Sequence, residues 1–195
     1  VRVGLERVLV SGAVDFDDTP DEAAFRAEAR AWLEAHAILR RPDARPSLAA
    51  ANDEGHLEAC RTWQRTLHDG GWAGITWPKA FGGRGGSSNE ARIFAQEERR
   101  CDVTTGMFSV AVNMGGPTLI AHGTAEQQER HLGAILRGDE LWCQLYSEPG
   151  AGSDLAGLRT RAELDGDTWV VNGQKVWNSG AHQAKFGILL ARTDP

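Results

Sequence analysis

Three cysteines in 195 residues are too few and too scattered to build a scaffold. Cys60, Cys101 and Cys143 lie far apart, with no C-x-x-C pair and no histidines at ligand spacing. That argues against a disulfide framework or zinc site and for a reducing compartment. The three read as ordinary buried or half-buried thiols. No apolar run approaches the roughly 20 residues that cross a bilayer. The opening VRVGLERVLVSGAV lacks the layout of a signal peptide, so residues 1–18 are expected to be a disordered extension and the protein cytoplasmic. Positive charge is not in excess either. A formal net charge of −6 argues against nucleic acid or an anionic membrane as the main partner, although local backbone amides can still hold an anionic ligand. G-x-G-x-x-G and the phosphate-loop lysine motif are both missing, and no histidine has an identifiable nucleophile for triad chemistry.

What is present is a soluble composition, 41% apolar and 25% charged, in a chain long enough to bury a core. Two periods divide it. From Thr19 to Gly138 the pattern is helical. Thr19, Pro20 and Glu22 form a capping box with a proline in the first turn, and Phe25, Ala29, Trp32 and Leu33 fall on one face behind it. A polar link from Arg40 to Gly55 leads to a second helix with Leu57, Cys60, Trp63 and Leu67 in one stripe, ended by Gly70 and Gly71. WAGITWPKAFGGRGGSS is too rich in glycine and proline for regular structure and reads as a packed loop. Ser87 with Glu90, and Thr124 with Gln127, cap two further helices, the last turning Leu132, Ile135 and Leu136 inward. Thr104 to Gly123 reads as one or two short helices broken near Gly115, Gly116 and Pro117.

After Asp139 the period falls to two. LWCQLYSE, TRAEL, TWVVN, QKVWNS and FGILLAR read as short strands, punctuated by DGD at Asp165–Asp167 and by Asn172–Gly173, a strong hairpin signal. The fold class is therefore α+β: a helical-bundle domain over residues 19–138, then the start of an antiparallel β-barrel-like domain over residues 139–195. Five short strands leave an open edge and an uncovered face, so the second domain is expected to be incomplete.

Two stretches could carry chemistry. EPGAGSD admits a plain strand-to-turn connection, or a loop whose Gly150 and Gly152 let the backbone approach a flat or anionic ligand beside Ser153. In KVWNSG, Trp177 and Ser179 share one face of a strand, either as core or as an aromatic wall with a donor beside it. Glu148, Asp154 and Glu163 are close in sequence, but nothing fixes their geometry, and solvated carboxylates are the expected state.

Together the two stretches resemble the middle β domain of the acyl-CoA dehydrogenase family, with its TEP(x)AGSD loop, its DG(x)(x)(x)(x)NG(x)K(x)W(x)(T/S) segment and ARTDP following. GWAGITWPKAFGGRGG is similar to a glycine- and proline-bearing segment of the family's helical half, so the resemblance covers roughly residues 20–195. It implies FAD as cofactor, an acyl-CoA thioester as substrate, a trans-2-enoyl-CoA product, an electron-transferring flavoprotein as electron acceptor, and a homo- or hetero-oligomer. By position it implies a flavin wall from Gln144 through Tyr146 and Ser147, with Gly152 and Ser153 facing the pyrophosphate. Ser153 would also lie near the thioester, Trp177 would pack on the ring system, and Ser179 would stand beside the hydride-accepting nitrogen. The same resemblance puts substrate-pocket residues around Met107 to Met114 and Leu119. The family's catalytic glutamate lies in a C-terminal helical domain, so no catalytic residue is assigned and the isolated chain is expected to be inactive. A non-catalytic flavin- or CoA-binding partner subunit, and an oxygen-using relative, stay open as alternatives.

Overall fold

The computed structural model describes residues 17–41 and 54–194. Most of the 1–18 extension and of the Arg40–Gly55 link lies outside the described residues. Helix α1, Pro20–His36, begins as its capping box dictates: the Thr19 hydroxyl accepts from the Glu22 amide at 3.3 Å, and Glu22 accepts from the Thr19 amide at 2.9 Å. Its inward stripe, Ala29 and Leu33, is buried, with Phe25 and Trp32 alongside. Helix α2 runs Glu54–Asp69 and buries Cys60, Trp63 and Leu67; α3 runs Ser88–Glu98; α4 is Gly116–His122; α5 is Ala125–Arg137. Ser87 and Thr124 complete capping boxes at the starts of α3 and α5.

Helices α1 and α3 are joined by charge as well as by carbon. Glu97 is 5% exposed and accepts from Arg26 at 3.1 Å, from Arg30 at 2.9 and 3.0 Å, and from Arg100 at 2.5 Å. Hydrogen bonding by Arg30 above all, with Arg100 and Arg26 behind it, lowers its pKa to about 2. Beside this hub the aromatic core stacks Trp72 on Phe94 at 4.8 Å and sets Trp32 against both Trp63 and Trp72.

The glycine-rich loop after α2 is packed, as its tryptophans suggest. Trp72, Ile75 and Trp77 are buried, and Gly85 and Gly86 donate back to the Trp77 and Ile75 carbonyls, both at 2.8 Å. The expected break near Gly115 and Gly116 does not occur. Ala111–Gly115 forms a π-helical turn that runs directly into α4, and Gly115 and Gly116 both hold helical dihedrals. Their small size serves packing instead. A Cβ on Gly116 would sit 1.9 Å from Cζ2 of Trp77, so the helix lies against the indole with no room for a side chain.

The second half begins with β1, Trp142–Leu145, followed by a hairpin of β2, Arg161–Asp165, and β3, Thr168–Asn172, and then by β4, Phe186–Leu189. Helices followed by the start of a β domain are what the sequence leads one to expect, and no closed barrel forms among the described residues. The pairing departs from expectation in one respect: β1 and β4 are parallel, Trp142 opposite Phe186, and only β2 and β3 are antiparallel. The hairpin turn falls at Gly166–Asp167, where Gly166 takes φ of 61°, and not at Asn172–Gly173. QKVWNS forms no strand. The Gly173 backbone instead lies against Thr160, and the chain turns toward β1. Leu164, Trp169 and Val171 on the hairpin are exposed, the uncovered face anticipated from the strand pattern.

The two halves meet on α5. His131 Nδ1 lies 2.8 Å from Glu140 Oε2, the Trp142 indole donates to the same oxygen at 3.2 Å, and Phe186 packs edge-on to the His131 ring. Cys60, Cys101 and Cys143 are buried free thiols, and no cluster of metal-binding side chains occurs among the described residues. No described helix is long and apolar enough to cross a membrane.

Because the Glu97 carboxyl has a folded pKa below its unfolded value, its stabilisation is full above about pH 5 and is lost as pH falls toward 2. Substituting Glu97→Gln is expected to cost about 2 kcal/mol at pH 7. Half-exposed Arg30 and Arg100 are partly screened, which keeps the loss below the about 3–5 kcal/mol of a fully buried pair. Urea unfolding across pH checks this: the gap between wild type and variant should shrink from pH 5 to pH 2.

Candidate functional site

The EPGAGSD loop and the turn from Lys175 to Gly180 lie side by side. Val176 N donates to the Ser147 carbonyl at 2.9 Å, and Lys175 Nζ donates to the Tyr146 carbonyl at 2.9 Å. The Asn178 side-chain amide, in the orientation that hydrogen bonding requires, donates to the Gln144 and Val176 carbonyls at 3.1 Å each. The backbone from Gln144 through Tyr146 to Ser147 is thereby fixed beside the turn that carries Trp177 and Ser179.

At its centre is an ion pair that the sequence did not disclose. Lys175 Nζ lies 2.9 Å from Glu148 Oε1, and both side chains are buried, at 8% and 7% exposure. Glu148 also accepts from the Thr160 amide at 2.9 Å and the Arg159 amide at 2.6 Å. Hydrogen bonding by Thr160, then by the Lys175 ammonium, lowers its pKa to about 2. The expectation of a solvated carboxylate is therefore wrong for Glu148: the hydrogen bonds it accepts outweigh its desolvation. It holds for Asp154 and Glu163, which are exposed. The partner lies 27 residues away, a separation no local pattern encodes. Arg192 completes the frame, donating to the Leu158 and Ala156 carbonyls at 2.8 and 2.6 Å.

On this frame Trp177 has φ of 60° and is 89% exposed. It does not lie in a strand with Ser179, as expected, but in a tight turn closed by Ser179 N donating to the Trp177 carbonyl at 3.0 Å. A left-handed tryptophan costs on the order of 1–3 kcal/mol. The indole finds no burial to offset that cost, so the fold spends strain to present a flat aromatic face. Gly152 and Ser153 stand beyond a turn in which Glu148 and Ala151 exchange both backbone hydrogen bonds. Both are exposed, and a Cβ on Gly150 or Gly152 would meet nothing within 4 Å. No described contact joins these two residues to Trp177. A displayed indole, hydroxyls at Ser147 and Ser179, and open backbone at Gly150 and Gly152 are suited to a flat ligand with an anionic portion.

A cavity of about 330 Å³ lies in the helical half. Trp63, Leu67, Trp72 and Phe94 form buried walls, and Phe108, Ser109, Val112 and Asn113 from the expected pocket segment also line it. Leu119, expected there too, packs instead in the core around Trp77 and Leu132. Met107 of this segment approaches the end of the turn that carries Trp177 and Ser179, its Cε 3.7 Å from the position of a Cβ on Gly180.

Comparison with known proteins gives two family matches: "Acyl-CoA dehydrogenase, N-terminal domain" over residues 19–139 and "Acyl-CoA dehydrogenase, middle domain" over residues 143–195. Acyl-CoA dehydrogenase IpdE1 of Mycobacterium tuberculosis is 45% identical over 175 residues, 89% of this chain and 45% of the relative. FadE29 of the same organism is 41% identical over 179 residues, 92% of this chain and 44% of the relative. Among solved structures, the ChsE4-ChsE5 complex from Mycobacterium tuberculosis has a TM-score of 0.73 at 36% identity, covering 93% of this chain and 45% of that one. The chain thus spans less than half the length of these relatives.

The ion pair yields a direct prediction. Lys175→Met leaves Glu148 buried without its cation, so the thermal midpoint should fall by several degrees, and proteolysis near Trp177 should accelerate. Lys175→Arg should recover only part of the loss, because a guanidinium does not reproduce the paired bonds to Tyr146 and Glu148. Differential scanning calorimetry with limited proteolysis would check both.

Proposed function

The chain belongs to the acyl-CoA dehydrogenase family, and on that premise we propose that it forms the flavin-facing half of an FAD-dependent acyl-CoA dehydrogenase. The observation that carries the reading is Trp177, a strained and exposed indole on a frame locked by Lys175 and Glu148. FAD, when bound, supplies the acceptor for the hydride removed as an acyl-CoA thioester becomes a trans-2-enoyl-CoA.

The chain's own residues then have separable parts. Trp177 packs on the ring system, and the Gln144–Tyr146–Ser147 edge forms the wall beside it. Ser147 and Ser179 offer hydroxyls where negative charge develops, so that donors are in place before the reaction begins. Gly152 and Ser153 keep the backbone accessible to a pyrophosphate, with Ser153 also near the thioester. Residues 19–138 act as the helical domain and residues 139–195 as the beginning of the middle domain. No residue here is assigned as the base. An electron-transferring flavoprotein as acceptor, an oligomeric holoenzyme and a cytoplasmic location belong to the same proposal.

A second reading keeps the flavin site and assigns the base to a different subunit, making this chain one member of a hetero-oligomer. What favours it is that one similar structure is a complex between two differently named proteins, ChsE4 and ChsE5.

Titration of FAD into the purified protein, following flavin fluorescence and oligomeric size together, tests the site. Saturable, stoichiometric quenching is expected. Trp177→Ala should weaken it by about tenfold without lowering stability, because that side chain is exposed. Absence of binding by a folded protein, or a Trp177→Ala variant that binds as well as wild type, would contradict the reading.

A further inference from the structure

The cavity in the helical half sets several polar side chains, Gln64 and Glu98 among them, between apolar walls. Gln64 is committed, its amide donating to the Leu136 carbonyl at 2.8 Å. Glu98 is not. It lines the cavity with one oxygen accepting from the Trp63 indole at 2.8 Å, and among the described residues its other oxygen makes no hydrogen bond. Nor does any described hydrogen bond occupy the side chains of Thr104, Thr105, Ser109 or Asn113, which line the same space. Such an arrangement suits a ligand with a polar atom of its own better than a bare hydrocarbon, which would bury these groups without partners.

At about 330 Å³ the space holds roughly ten non-hydrogen atoms, if each takes about the 30 Å³ of a water molecule. That is the size of the distal part of an acyl group, not of a whole thioester. We infer that Glu98 is a specificity-determining residue, selecting acyl groups that carry a hydroxyl or keto oxygen on their distal part over unsubstituted chains. The inference rests on the acyl-CoA reading of the site. Burial pushes the Glu98 carboxyl upward from its usual range, with the Trp63 hydrogen bond opposing, so the neutral form gains weight and can donate to such an oxygen. Trp63 acts as a positioning residue, fixing one carboxyl oxygen and turning the other toward the ligand.

The test is isothermal titration of the protein, with FAD present, using octanoyl-CoA, ω-hydroxyoctanoyl-CoA and butanoyl-CoA. The hydroxylated probe should bind about tenfold tighter than octanoyl-CoA, the worth of one good buried hydrogen bond. That preference should vanish in Glu98→Leu and persist in Glu98→Gln, which keeps a partner for Trp63 and a donor for the ligand. Equal affinities in wild type, or a preference that survives Glu98→Leu, would overturn the role of Glu98 and leave the acyl-CoA reading intact. Failure of all three thioesters to bind would overturn that reading and the inference with it. The wild-type comparison needs no variant, so a leucine variant that does not fold leaves it decisive.

Discussion

The buried contact between Lys175 and Glu148 is the constraint on which the site depends. It joins the end of the first strand's loop to the turn that carries Trp177. An isolated carboxylate or ammonium at that depth would be strongly disfavoured. Glu148 is tolerable because two backbone amides and the ammonium satisfy it, and Lys175 because it also reaches the Tyr146 carbonyl. Each charge requires the other segment to be in place. The result is one rigid edge from two loops, on which a left-handed tryptophan can be held without its ring being buried.

The helical half repeats the device at larger scale. Glu97 draws arginines from α1 and from the end of its own helix, and the aromatic layer of Trp32, Trp63, Trp72 and Phe94 fills the space beside it. Trp63, Trp72 and Phe94 of this layer also wall the cavity. The π-helical turn at Ala111–Gly115 brings Val112 against the Trp77 indole, whose N–H donates to the Val112 carbonyl at 3.0 Å. The wall of the cavity and the seat of α4 are therefore one structure.

Features set by neighbours in sequence were legible from the residues alone. The capping boxes at Thr19, Ser87 and Thr124 and the inward stripes of α1, α2 and α5 follow from spacings of three and four residues. Features set by distant partners were not. Gly115 and Gly116 look like helix breakers until Trp142 is seen to lie against the first and Trp77 to need the room at the second. Asn172–Gly173 has the composition of a hairpin turn, but the Glu148 carboxylate claims Lys175 two residues later and draws the chain away from β3. The family motif pointed to two segments, Gln144–Ser147 and Trp177–Ser179, whose backbones the fold sets side by side. It did not reveal that Trp177 leaves the strand conformation for a turn that the Ser179 amide closes and that Val176 and Asn178 tie to the Gln144–Ser147 edge.

On the proposed reading, the edge from Gln144 to Ser147 and the turn that carries Trp177 form a flavin wall before any ligand arrives. Hydrogen–deuterium exchange of the unliganded protein, resolved over residues 173–180, tests this most directly. A preformed wall predicts slow exchange at Val176 and Ser179, whose amides are bonded to the Ser147 and Trp177 carbonyls, with little change when FAD is added. Rapid exchange across the whole segment, slowed only by FAD, would contradict the account.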